Sequence, residues 1–262
     1  MRLMFAAMLL WIAGGAAAAA DAPSDKALTT FFESVVFGAE YKDVAKGSTV
    51  IKKWVEPIRI NVTSIGGKMI DKPDGGKELK LAKRKPSKTE VALIRKHFGR
   101  LLKITGLKTE SAKKAGKKPN LFIKFVPRRA MHAPFLVPGV DKKMLHRLAA
   151  PGVCYFLTAA KQGRIIWGTI VVNGQLPERD MDACLMEELT QALGLPNDSD
   201  IVKPSMFNNR AQPTAINRTD AIMIRTLYDK RLQPGMPRDK AMATAARLIA
   251  AWNKKLPKTP PK

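Results

Sequence analysis

The chain has 262 residues, 45% of them hydrophobic, with a formal net charge of +24. That length and apolar content suffice for one large domain or two small ones with a real core, and exclude a wholly disordered chain. After the first twenty residues no apolar run is long enough to cross a membrane as a helix, so a protein with several membrane-spanning helices is excluded as well.

Residues 1–20 read as an export signal: Arg2, an apolar run through Trp11, then Gly14-Gly15 and a string of alanines before Asp21. Cleavage there is favoured over an uncleaved anchor, because the apolar span is at the short end for a bilayer. Export implies a periplasmic or secreted protein with no stable membrane span, and removing Arg2 with the signal leaves +23. In an oxidising compartment Cys154 and Cys184 are expected to pair, two buried free thiols being the alternative.

Ala27–Val36 has apolar residues at helical spacing. Trp54 to Thr63 alternates Ile58, Ile60 and Val62 with Arg59, Asn61 and Thr63, the pattern of a strand with one buried face. Gly66-Gly67 and Asp74-Gly75-Gly76 predict a loop or weak hairpin next. Ser87 and Glu90 form a capping-box pair opening a helix that carries Val91, Ile94, Phe98, Leu101 and Leu102 to Gly106. Leu121–Val126 alternates as a strand, and Met144–Leu148 is a short helix. Val153–Ala159 and Arg164–Val172 are strands joined across Lys161-Gln162-Gly163 as a hairpin. Helices follow at 181–193, with Gly194 as C-cap, at Thr219–Tyr228 and at Asp239–Trp252; a basic disordered tail ends the chain.

The basic clusters, among them Lys83-Arg84-Lys85 and Lys113-Lys114, lie in segments with little aromatic interleaving. Such charge favours anionic partners, but it argues against a nucleic-acid stacking platform, and a solvated surface is the plainer reading. One window runs the other way. Between Glu178 and Asp200 stand seven acids and one base, a local balance of −6. Helix-end electrostatics accounts for Glu178, Asp180 and Asp182 and leaves Glu187 and Glu188 unexplained. On the wheel Leu185, Met186, Leu189, Ala192 and Leu193 form the core stripe, while Cys184, Glu187, Glu188 and Gln191 share the other side. A cysteine on that side implies that it too is covered.

The segment "EELTQALGLPN" is similar in spacing to the metzincin consensus H-E-x-x-H-x-x-G-x-x-H of zinc peptidases. Glu187, Gln191 and Asn197 stand at the three histidine positions, Glu188 at the catalytic glutamate and Gly194 at the glycine. Pro204-Ser205-Met206 resembles the methionine turn of that clan. "CLMEELTQALGLPNDSD", "PSMFNN" and "LYDKRLQPGM" further resemble a bacterial exported family known only as a domain of unknown function. The resemblance implies an α+β, metzincin-like (zincin) domain over 21–236: a twisted mixed sheet, a long backing helix and a central active-site-type helix. A C-terminal helix and basic tail occupy 237–262.

It also implies a site at Glu187, Gln191 and Asn197, supported by Gly194, Met206 and Asp198, with Glu188 the general base if the protein is active. No metal is assigned. Zinc prefers nitrogen and sulfur donors, whereas this set offers oxygen and would suit a hard divalent cation such as calcium or magnesium. The expectation is an exported, non-proteolytic binding protein of the cell envelope taking a peptide or an anionic envelope polymer. A divergent hydrolase and a basic adhesive or structural envelope module are the alternatives.

Overall fold

The computed structural model describes residues 22–39, 47–208 and 213–257. The signal segment 1–20 and the last tail residues, 258–262, lie outside the described residues. Helix α1 (Asp25–Phe37) is followed by strands β1 (Ile60–Asp71) and β2 (Lys77–Arg84), helix α2 (Lys88–Thr105) and strand β3 (Leu121–Val126). Two 3₁₀ turns lead to helix α3 (Lys142–Ala149), strands β4 (Cys154–Lys161) and β5 (Arg164–Asn173), and helices α4 (Glu178–Gln191), α5 (Arg218–Tyr228) and α6 (Arg238–Lys255). Among the described residues no helix is long and apolar enough to cross a membrane.

The five strands form one α+β mixed sheet in the order β2-β1-β3-β5-β4. β1, β3 and β5 run parallel, while the two edge strands run antiparallel to their neighbours. Strand periodicity divides the core. Ile123, Phe125, Ile170 and Val172 face the main cluster with α1, α2, α4, α5 and α6. Val126 and Val171 join Met131, Leu136, Leu145, Leu148 and Tyr155 in a smaller cluster under α3.

The capping box is formed as expected: Ser87 Oγ accepts from Glu90 N at 3.1 Å, and the Glu90 carboxylate accepts from Ser87 N at 2.7 Å. Gly106 closes the same helix with a left-handed φ of 72°. Several expectations are corrected. The strand begins at Ile60, not Trp54, because Trp54 is drawn into the core, where its indole Nε1 donates to Ala192 O at 2.9 Å. Gly66-Gly67 does not break the chain but lies inside β1, paired with Ala82 and Leu81. The actual turn is the Asp74-Gly75-Gly76 segment, where Gly75 has φ 80°. The central helix starts at Glu178 and ends at Gln191, a few residues N-terminal to the expected 181–193, and its C-cap is Ala192 rather than Gly194, because the Ala192 N–H already closes the last turn on Glu188 O.

Candidate functional site

Helix α4 buries both of its faces, which explains why its apolar stripe alone does not describe it. Leu185, Met186 and Leu189 enter the core, and Cys184, Glu188 and Gln191 on the far side are 3%, 7% and 2% exposed. Cys184 is bonded to Cys154, the first residue of β4, with the Cα atoms 6.3 Å apart. The cross-link fastens the helix to the edge strand.

A cleft of about 200 Å³ opens between these two elements. Its floor is Glu188, Gln191 and Gly194; Tyr155–Thr158 of β4 form one wall, and Met144 and Leu148 of α3 another. The end of α1 and its following residues, together with Lys52 and Pro196, complete it. The walls are mostly apolar and the floor polar, the usual composition of a small-ligand or side-chain pocket.

Of the residues singled out from sequence, the structure brings Glu188, Gln191 and Gly194 to this cleft. Glu187, about 100° further round the helix, is half-buried and does not line it. The Gln191 amide donates from Nε2 to Asp198 Oδ1 at 2.8 Å, which pins both side chains. Asn197 faces α1: its Nδ2 donates to Ser34 O at 3.1 Å and to Asp198 O at 2.7 Å. Gly38 permits that approach, since a Cβ there would lie 2.5 Å from Asn197 Nδ2. Gly194, with φ 112°, lets the chain turn after the helix directly against the Lys52 carbonyl.

Met206 is buried in the main core. Its turn is held by Asp220 at the start of α5, which accepts from Ser205 Oγ at 2.6 Å and from Met206 N at 3.3 Å. Complete burial pushes the Asp220 carboxyl up to about 7, against the opposing pull of the Ser205 hydroxyl and the Met206 and Asn217 backbone. The sequence places Asp220 only within the helix Thr219–Tyr228; the structure shows it as the capping-box partner of Asn217 as well.

The three histidines do not reach the cleft. His97 is fully buried between α2 and α4, its Nε2 against Asp182 Oδ1, while Lys96 Nζ reaches Asp182 Oδ2 at 2.6 Å. Burial depresses the basicity of His97 despite that carboxylate. His132 and His146 stack on each other with ring centroids 4.2 Å apart. Among the described residues no three or more His, Cys, Asp or Glu side chains gather in a metal-holding group. At the consensus positions Gln191 and Asn197 carry amide oxygens, while their amide nitrogens donate to Asp198 and Ser34.

An α+β domain with a disulfide-braced cleft over its central helix is thus the class this chain defines. Residues 25–246 match the family described as "Protein of unknown function (DUF2927)", and the chain belongs to that family. A stretch of the chain is 30% identical over 164 residues to the DNA-directed RNA polymerase subunit beta of Leuconostoc mesenteroides subsp. mesenteroides. That match covers 52% of this chain and 13% of the relative. No solved structure matches significantly.

Proposed function

We propose that the protein is an exported, non-proteolytic, metzincin-like binding protein that takes an extended peptide segment along β4, with one side chain entering the cleft. The observation that carries this is the position of the cleft: it lies between β4, which among the described residues pairs with β5 alone, and the helix bearing the consensus-spaced Glu188 and Gln191. An edge strand offers main-chain hydrogen bonds to an added strand, and a pocket beside it selects a side chain. The strand–helix–strand–hairpin–helix order and the turn at Ser205-Met206 support descent from a zincin. The oxygen-only donors support loss of the zinc chemistry.

The test is a binding screen of unstructured peptides by fluorescence polarisation, with metal analysis of the purified protein. Saturable binding lost on Thr158→Pro, which removes an N–H that the register points away from β5 toward the free edge, or on Glu188→Gln is the expected result. Stoichiometric zinc that disappears in Glu187→Ala or Gln191→Ala would overturn it.

A divergent hydrolase is the second reading, favoured by the enclosed carboxylate of Glu188 on the cleft floor. A covered carboxylate can serve as a general base. Turnover of casein or cell-wall material abolished by Glu188→Gln would replace the binding reading with this one.

A further inference from the structure

The hairpin of β1 and β2 carries more charge than its place in the fold requires. β3 pairs with β1 only over Ile60–Ser64, so Ile65–Asp71 continues as a two-stranded ribbon with β2 alone. Between Lys68 and Lys88 the chain has eight basic and three acidic residues. The acids, Asp71, Asp74 and Glu78, are confined to the tip, and from Lys80 to Lys88 every charged residue is basic.

The register sets Lys68 directly opposite Lys80. Like charges facing each other across a ladder are destabilising, so this pair opposes folding. A lysine on an edge strand guards against strand-to-strand aggregation, which accounts for one such charge but not for a facing pair. Lys68, Lys80, Lys83 and Lys85 are exposed, and among the described residues none makes an ion pair. Arg129, whose Nη1 lies 3.7 Å from Met69 Sδ, and Lys83, opposite Ile65, stand on the other face of the ribbon from Lys68 and Lys80.

We propose that this ribbon is a binding surface for a linear acidic polysaccharide. On the face shared by Lys68 and Lys80 the next pair is Gly66 with Ala82, and the one after is Ser64 with Arg84. Two small residues thus form a flat saddle between basic ends separated by four residues, roughly 13 Å of strand, the scale of a sugar repeat. Arg84 keeps part of its guanidinium exposed while bound to Glu90. Nucleic acid is a poorer match. Residues 60–90 contain no aromatic side chain to stack a base, and the ribbon from Ile65 to Lys83 has no Asn, Gln or Arg to read a base edge. The surface is separate from the cleft and does not depend on its function.

Heparin binding measured across a salt series tests the assignment. The double variant Lys68→Glu, Lys80→Glu is expected to weaken binding at least ~10-fold and to flatten the log–log salt slope by about 2. The control Lys113→Glu, Lys114→Glu makes the same change in net charge on an exposed loop and is expected to stay within ~3-fold of wild type. Lys80→Ala guards against misfolding as an explanation, because relieving the facing pair should raise the melting midpoint while weakening heparin binding. Glu188→Gln should leave heparin binding unchanged. Equal loss in both double variants would show that net charge alone acts and would overturn the proposal. So would unchanged binding in the ribbon variants, or tighter ribbon-dependent binding to double-stranded DNA than to heparin.

Discussion

Cys184 lies one turn before Glu188 on α4 and is covalently tied to Cys154 at the start of β4, so one bond joins the floor of the cleft to its wall. The bond closes a loop with a sequence separation of 30 residues. In the chain-entropy account this restricts the unfolded state by about 3–4 kcal/mol. The double variant Cys154→Ser, Cys184→Ser should lose about that much stability in urea unfolding. Reduced wild type should match it, and addition of reductant should leave the variant unchanged. Peptide binding should weaken along with stability, since β4 would no longer be held against the helix.

Asp182 is the second tie on the same helix. It accepts from Lys96 and meets His97, joining α4 to α2. Burial raises its pKa, but the hydrogen bonds and charges of Lys96 and His97 outweigh this and hold it below the usual carboxylate range. Because the folded pKa is depressed, the stabilisation is present above the unfolded value of about 4 and is lost as pH falls through the folded one. Asp182→Ala should cost about 2–3 kcal/mol near neutrality, because it strands a fully buried imidazole. The penalty should shrink in acid, as read by urea midpoints from pH 7 down to pH 3.

How far the sequence disclosed this arrangement depended on whether the signal was local. The capping box at Ser87 and Glu90, the alternation in Leu121–Val126 and the Lys161–Gly163 turn each describe their own backbone, and each element forms where expected. The cysteine on the polar side of α4 correctly marked that side as covered. Long-range ties were not legible. Nothing near Trp54 announced a partner at Ala192, and its inward pull cost the expected strand its first residues. Likewise the wall of the cleft belongs to β4, whose alternation gives no hint that it stands at the sheet edge beside α4. The glycine pair at 66–67 misled for a physical reason. Gly67 lies where a Cβ would be 2.8 Å from Leu79 Cδ1 and 2.9 Å from Pro127 Cγ, so close packing rather than a turn selects it.

Gly194 offers a direct check on the geometry of the floor. A Cβ there would lie 2.2 Å from the Lys52 carbonyl oxygen, and the residue holds a φ of 112° that side chains rarely adopt. Gly194→Ala should therefore be destabilising by roughly 2 kcal/mol or more, combining backbone strain with steric displacement. Gly99→Ala is the contrasting control. Gly99 is helical with nothing within 4 Å of its added Cβ, so alanine should stabilise the protein by about 0.5–1 kcal/mol. Thermal unfolding of the two variants should move in opposite directions.

Asp220 predicts a pH dependence of the opposite sign to that of Asp182. Its carboxyl is completely buried and titrates near 7 in the folded protein, against an ordinary value of 3.8. The folded state therefore holds a proton that the unfolded state releases. The contribution is fully present below about pH 4 and is lost as pH rises through 7, a change on the order of a few kcal/mol. Asp220→Asn keeps an oxygen that can accept from Ser205 and Met206 but removes the ionisation. The difference in unfolding free energy between variant and wild type should therefore grow in favour of the variant from pH 5 to pH 8. A difference that stays flat over that range would mean that Asp220 is ionised throughout, with its charge carried by the Ser205, Met206 and Asn217 donors. In that case the turn at Met206 would be held by a permanent buried anion rather than by a neutral acid.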